Sequence, residues 1–153
     1  MKAAAIIAFL LITMQPGSTS QIVPGFLLGR WIIGKPFYDM SPQPIGIDAK
    51  QEHRLIGANL RFERNSVSAC GANIQVLSVE ANKYSADEFL QAYHIRPDQI
   101  GLVAPVIEYS FVSHGLSAIC GSPEAFEIMS DGKDAVLDVA NDYLHLTKVK
   151  ISN

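Results

Sequence analysis

The tightest constraint on the fold of this chain is its punctuation: from Leu27 onward, short apolar runs alternate with turn residues, and only two segments keep a helical period. Residues 27–35, LLGRWIIGK, are apolar and β-branched and are ended by Gly34 and Pro36, so a first strand is expected there with Trp31 in the core. Residues 59–64 set Leu60 and Phe62 against Arg61 and Glu63, the period-two pattern of a half-buried strand. Asn65 and Ser66 then turn the chain. Residues 67–70 are expected to run back as a hairpin partner, and 74–79 to add one more apolar run of the same meander, ending near Asn82. Ile107, Tyr109 and Phe111 alternate with Glu108 and Ser110, and His114-Gly115 separates that strand from another at 116–120. Three further strand-like runs, 125–129, 135–139 and 143–151, are divided by Asp131-Gly132 and Asn141-Asp142.

Two short helices interrupt this pattern. Residues 48–56 carry Asp48 as an N-cap and Gly57 as a terminator. Ser85 followed three residues later by Glu88 forms a capping box ahead of the apolar stripe Phe89, Leu90 and Tyr93, which His94 and Pro97 bring to an end. This helix is expected to cover one end or edge of a sheet, with Phe89 and Tyr93 in the core. The fold class is therefore mainly β: about eight antiparallel strands forming a closed barrel or a two-sheet sandwich, with one or two short helices. Between the first strand and the first helix, Pro36, Pro42, Pro44 and Gly46 prevent a regular ladder over 36–47.

Met1-Lys2, an apolar run over 3–14 and the small polar residues Gly17 to Ser20 follow the order of a secretory signal peptide cleaved before Gln21. Of 153 residues, 133 remain after removal of 1–20, which suits a single β-rich domain over 21–153. The net charge of −3 becomes −4 once Lys2 is lost, and the basic residues are scattered, which argues against a nucleic-acid partner. No later run is long enough to span a membrane, so a periplasmic or secreted location is expected. Cys70 and Cys120 are the only cysteines, and an exported chain with an even count is expected to oxidise them to one bridge.

Gly29-Arg30-Trp31 resembles the glycine-x-tryptophan signature of the lipocalins and the wider calycin group, in which the tryptophan closes one end of an antiparallel barrel. In that family a basic side chain from the last strand packs across the tryptophan. Lys148 or Lys150 would take that place here, where the family usually has arginine. Asn141-Asp142-Tyr143 is similar to the family's threonine-aspartate-tyrosine turn, but it lacks the threonine and precedes the last strand. The resemblance implies either a cup-shaped barrel that binds a small apolar ligand or one of the small bacterial barrels that block a secreted hydrolase.

Motifs for catalysis are absent: there is no GxSxG elbow, no HExxH helix and no glycine-rich phosphate loop. His53, His94, His114 and His145 are far apart in sequence, and neither a metal nor any other cofactor is expected. Asp131, Asp134, Asp138 and Asp142 read first as turn-forming residues that accept backbone hydrogen bonds, with cation binding as the alternative. A binding role leads: inhibition of an extracytoplasmic enzyme through a protein interface first, carriage of a small apolar ligand second, and catalysis without a recognisable motif third. The residues expected to carry binding are Trp31 and the proline-flanked Phe37, Tyr38 and Met40, which supply large contact area on a loop of restricted freedom. Mass spectrometry of the exported protein is expected to find an N-terminus at Gln21; recovery of the full-length chain from the cytoplasm would contradict the export reading.

Overall fold

The computed structural model describes residues 22–37, 47–115, 118–122 and 125–150. Among them are nine strands: β1 (Gly29–Pro36), β2 (Asn59–Phe62), β3 (Ser66–Ala69), β4 (Ala72–Gln75), β5 (Ser78–Tyr84), β6 (Val106–Val112), β7 (Phe126–Ser130), β8 (Ala135–Val139) and β9 (Asp142–Lys148). Two α-helices, α1 (Ala49–Leu55) and α2 (Ala86–Tyr93), and a 3-10 turn at Pro97–Ile100 complete the order. All strands join one antiparallel sheet in the order β4-β3-β2-β1-β9-β8-β7-β6-β5.

This sheet is a curled half-barrel, neither the closed barrel nor the two-sheet sandwich expected from sequence. The reason lies at Val76-Leu77. Residues 74–79 read as one apolar run, but the chain breaks there into β4 and β5, which occupy opposite edges of the sheet. Val76 N–H donates to Asn65 C=O at 2.9 Å and Leu77 N–H to Val112 C=O at 2.8 Å, so this two-residue link is bonded to both halves of the curl. The edges meet at that corner without forming a ladder with each other.

A second tie joins the same two halves. Cys70, in the β3–β4 turn, is bonded to Cys120, in the β6–β7 connection, across a sequence separation of 50 residues. The disulfide expected from the cysteine count is present. Cys70 and Gly71 both have positive φ, 51° and 78°, between the paired Ala69 and Ala72, the backbone of a two-residue hairpin turn. Residues 118–120 are not part of a strand as expected; they are irregular and carry buried Ile119 and Cys120 into the core.

Between the two halves, the concave face is filled. Phe62 of β2 lies 5.6 Å from Phe111 of β6, which stacks 5.2 Å from Phe126 of β7, so an aromatic trio crosses the curl. Leu27, Ile33, Leu60, Val67, Ile128 and Leu137 are fully buried around it. Both helices start as the sequence indicates: Asp48 accepts from Gln51 N–H at 2.8 Å, and the Ser85–Glu88 capping box is formed. Helix α2, expected at an end or edge, packs Phe89 on the convex face with Val106, Met129 and Val136, because its apolar stripe meets the apolar residues there. Asn141-Asp142 was expected as the last turn, but Ala140-Asn141 forms it and Asp142 opens β9. Among the described residues no helix is long and apolar enough to cross a membrane.

Replacing both Cys70 and Cys120 with serine is expected to lower the unfolding free energy by roughly 4 kcal/mol, the chain entropy removed from the unfolded state by a loop of about fifty residues. Urea unfolding checks this. A loss under about 1 kcal/mol would mean that the Val76-Leu77 corner alone holds the two halves together.

Candidate functional site

The strand registers decide which side chains meet on the convex face. Glu80 lies opposite Ser110, Ser110 opposite Glu127, Glu127 opposite Asp138, and Asp138 opposite Tyr143, which makes one continuous row across β5 to β9. The neighbouring row runs Asn82, Glu108, Met129, Val136, His145. Three carboxyl groups from three adjacent strands, Glu108, Glu127 and Asp138, thus share one face beside α2. Directly opposed side chains in such a pair have Cβ atoms only about 5 Å apart.

Glu108 is 6% exposed and lies at the centre of a hydrogen-bond network. Tyr93 O–H donates to its Oε1, and its Oε2 accepts from Tyr84 O–H at 3.0 Å and from Asn82 Nδ2 at 3.2 Å. Burial works to raise the Glu108 carboxyl, but hydrogen bonds from Tyr93, Glu127, Asn82 and Tyr84 outweigh it and hold the group below the usual carboxylate range. Glu127 moves the other way: burial raises it, and its hydrogen bond to Glu108 raises it further. Ser110 Oγ donates to Glu127 Oε1 at 2.8 Å.

Asp138 is the most strongly perturbed carboxyl. It is 7% exposed, and burial, followed by repulsion from Glu127, pushes it up to about 7. Its Oδ1 accepts from Asn141 N–H at 3.0 Å, which secures the β8–β9 turn. Among the described residues no ion pair reaches this cluster, and no three His, Cys, Asp or Glu side chains are placed to hold a metal ion. A carboxyl kept neutral near pH 7 is able to exchange a proton, but Asp138 and Glu108 are both shut off from solvent. The alternation at Ile107–Phe111 gave no sign that Glu108 would be buried; the signal lay in the tyrosines of β5 and α2 that close over it.

The residues singled out by sequence lie elsewhere. Trp31 is 3% exposed and packed; its Nε1–H donates to Leu27 C=O at 2.7 Å, and Lys148 Nζ sits 5.2 Å above the ring while donating to Phe26 C=O. Beside it is an open depression of about 390 Å³ lined by Phe26, Leu146 and several polar residues. Cys70 and Cys120 form the bridge already described. Phe37 is half-buried: its N–H donates to Tyr143 C=O at 2.9 Å, its ring lies 3.6 Å from that of His145, and a Cβ added at Gly101 would meet it at 3.6 Å. Tyr38 and Met40 lie outside the described residues.

Just beyond Gly101 is Val103, at 73% exposure the most exposed large apolar residue of the described chain, with no motif in the sequence to mark it. Leu102 on one side and Val106 a few residues on are buried, and Val103 N–H donates to Asp131 Oδ2 at 3.0 Å, so the loop is anchored at both ends and in the middle. Phe37 is thus linked to this loop through Gly101, two residues before Val103. No protein-family model, curated protein or solved structure matches the chain.

The raised Asp138 fixes the sign of a pH effect. An unfolded aspartate ionises near pH 4, whereas Asp138 in the folded chain holds its proton to about pH 7, so folding stability falls as pH rises through that window. Asp138 is expected to contribute up to about 4 kcal/mol to this loss, and Glu127 acts in the same direction. Denaturant titrations at pH 5 and pH 8 should show the drop, and Asp138→Asn should flatten it while leaving the acceptor for Asn141 N–H in place. A wild-type protein that is more stable at pH 8 than at pH 5 would refute the assignment.

Proposed function

We propose that this is an exported, non-enzymatic binding protein whose partner is another protein, with inhibition of an extracytoplasmic enzyme as the finer reading. The observation that carries it is the filled interior. Phe62, Phe111 and Phe126 occupy the space in which a hollow barrel would hold an apolar ligand. Binding then falls to the surface, and the Phe37–Val103 region offers an apolar anchor whose loop is ordered before any partner arrives. Ordering in advance removes part of the entropic cost of association.

Carriage of a small apolar ligand, the second reading, is favoured by one feature, the depression beside Trp31. Its polar lining and open form suit a small amphipathic group better than a long apolar chain. A non-enzymatic role is supported by the burial of Glu108 and Asp138, which withdraws both carboxyls from direct contact with solvent.

Native pull-down with the mature protein as bait, followed by mass spectrometry of both retained proteins and retained small molecules, separates the readings. Val103→Asp is expected to weaken capture of the protein partner by roughly 1 kcal/mol or more, about a fivefold loss, with the fold unchanged because the side chain is exposed. Phe37→Ala is expected to weaken capture and also to cost about 1–2 kcal/mol of stability, since its half-buried ring packs on His145. Retention of a small apolar molecule without any protein, unaffected by Val103→Asp, would reverse the order of the two readings.

A further inference from the structure

Helix α2 packs on the convex face on its β5–β9 side; across β1 to β4 the described residues carry a different row. Register places Arg30 opposite Arg61, Arg61 opposite Ser68, and Ser68 opposite Asn73. These four side chains come from four adjacent strands and lie in one line. They help line an open depression of about 590 Å³ that also takes in Asn59 and the Cys70-Gly71 turn.

Two guanidinium groups set directly opposite each other repel, and a sheet normally avoids that arrangement. Among the described residues the only carboxylate that reaches the row is Glu63, whose Oε1 is 3.0 Å from Arg61 Nε in an exposed pair. Arg30 has no acidic partner there. Asn59, Ser68 and Asn73 make no side-chain hydrogen bond within the described residues either, so the depression gathers two cations and three polar groups with unused capacity. Across the Cys70-Gly71 turn an adjoining depression of about 470 Å³ contains Arg54, a third source of positive potential. This concentration is local, because the chain as a whole is negative.

We propose that the Arg30–Arg61–Ser68–Asn73 row is a binding site for an oxyanion, a carboxylate or phosphate group. A guanidinium presents its N–H donors in a planar fork that matches two oxygens of such a group, and an anion between Arg30 and Arg61 turns their repulsion into attraction. Ser68 Oγ and the Asn73 amide complete the donor set. The oxyanion comes either from a free anion or from acidic side chains of a peptide, and the chemistry at the row is the same for both. The Phe37–Val103 surface plays no part in this site.

The test titrates the mature, disulfide-bonded protein separately with inorganic phosphate and with a glutamate-rich peptide at low ionic strength, following backbone amide shifts by NMR. Saturable shifts at Arg30, Arg61 and Ser68 are expected. Saturation with phosphate identifies a free-anion site, and saturation with the peptide alone identifies acidic side chains as the source. Binding is expected to weaken at least about tenfold in Arg30→Gln/Arg61→Gln and about threefold in Ser68→Ala/Asn73→Ala, which keeps both charges, with little change in the remote Arg96→Gln. Failure of both probes to saturate below about 10 mM, or an equal loss in Arg96→Gln, overturns the proposal, since the latter would mean only general attraction to positive charge.

Discussion

The architecture depends on holding together the two edges of a sheet that does not close. β4 and β5 are successive in the chain and farthest apart in the sheet, and they are joined by a link of only two residues. A nine-stranded sheet is able to satisfy such a link only by curling until its edges meet. The disulfide then fixes the β3–β4 turn to the β6–β7 connection and limits how far the curl can open. Hydrophobic burial and cross-linking are coupled here, because Phe62 reaches Phe111 only while the two halves face each other. Opening the curl would expose the aromatic trio to water, at a cost that grows with the apolar area uncovered.

Once the concave face is committed to this core, every strand must still do something with its other face. β6 to β9 solve it with a cover: Phe89 and Tyr93 of α2 pack over Val106, Met129 and Val136, so β8 is buried on both sides. Glu108 and Asp138 are buried on this side and Glu127 half-buried, and the hydrogen bonds from Tyr84, Tyr93, Asn82 and Ser110 compensate part of the lost hydration of the two glutamates. Among the described residues, β1 to β4 have no such helix over them and turn arginine, serine and asparagine outward. The two halves of one convex face thus differ in kind: a largely buried acidic cluster on one side and an exposed basic row on the other.

Local signals were legible in the sequence. Capping at Asp48 and Ser85 follows from side-chain chemistry within one turn of helix, and the alternation of Leu60 and Phe62 or of Tyr109 and Phe111 follows from the period of a strand. The disulfide needed no geometry, since two cysteines allow one pairing. What could not be read was which edges the strands would take, because Val76 is as apolar as its neighbours and nothing nearby in sequence marks it as a corner. Glu108 shows the same limit at the site. Its alternation with apolar residues is that of a solvated outward face, and only the docking of a helix distant in sequence buries it. The Arg30–Arg61 row likewise exists only through register between strands whose pairing the sequence left open.

Asp131 shows how one turn residue links these levels. As expected of a turn former, its Oδ1 accepts from Lys133 N–H at 2.9 Å and Asp134 N–H at 2.8 Å. Its second oxygen leaves the hairpin and accepts from Val103 N–H, so the β7–β8 turn and the exposed apolar loop are held by a single carboxylate. Burial would raise that carboxyl, but the backbone donors of Asp134, Lys133 and Val103 outweigh it and keep Asp131 below its ordinary range. Asp131 therefore stays ionised throughout the interval in which Asp138 changes charge. The loop that presents Val103 thus keeps its anchor while Asp138 titrates.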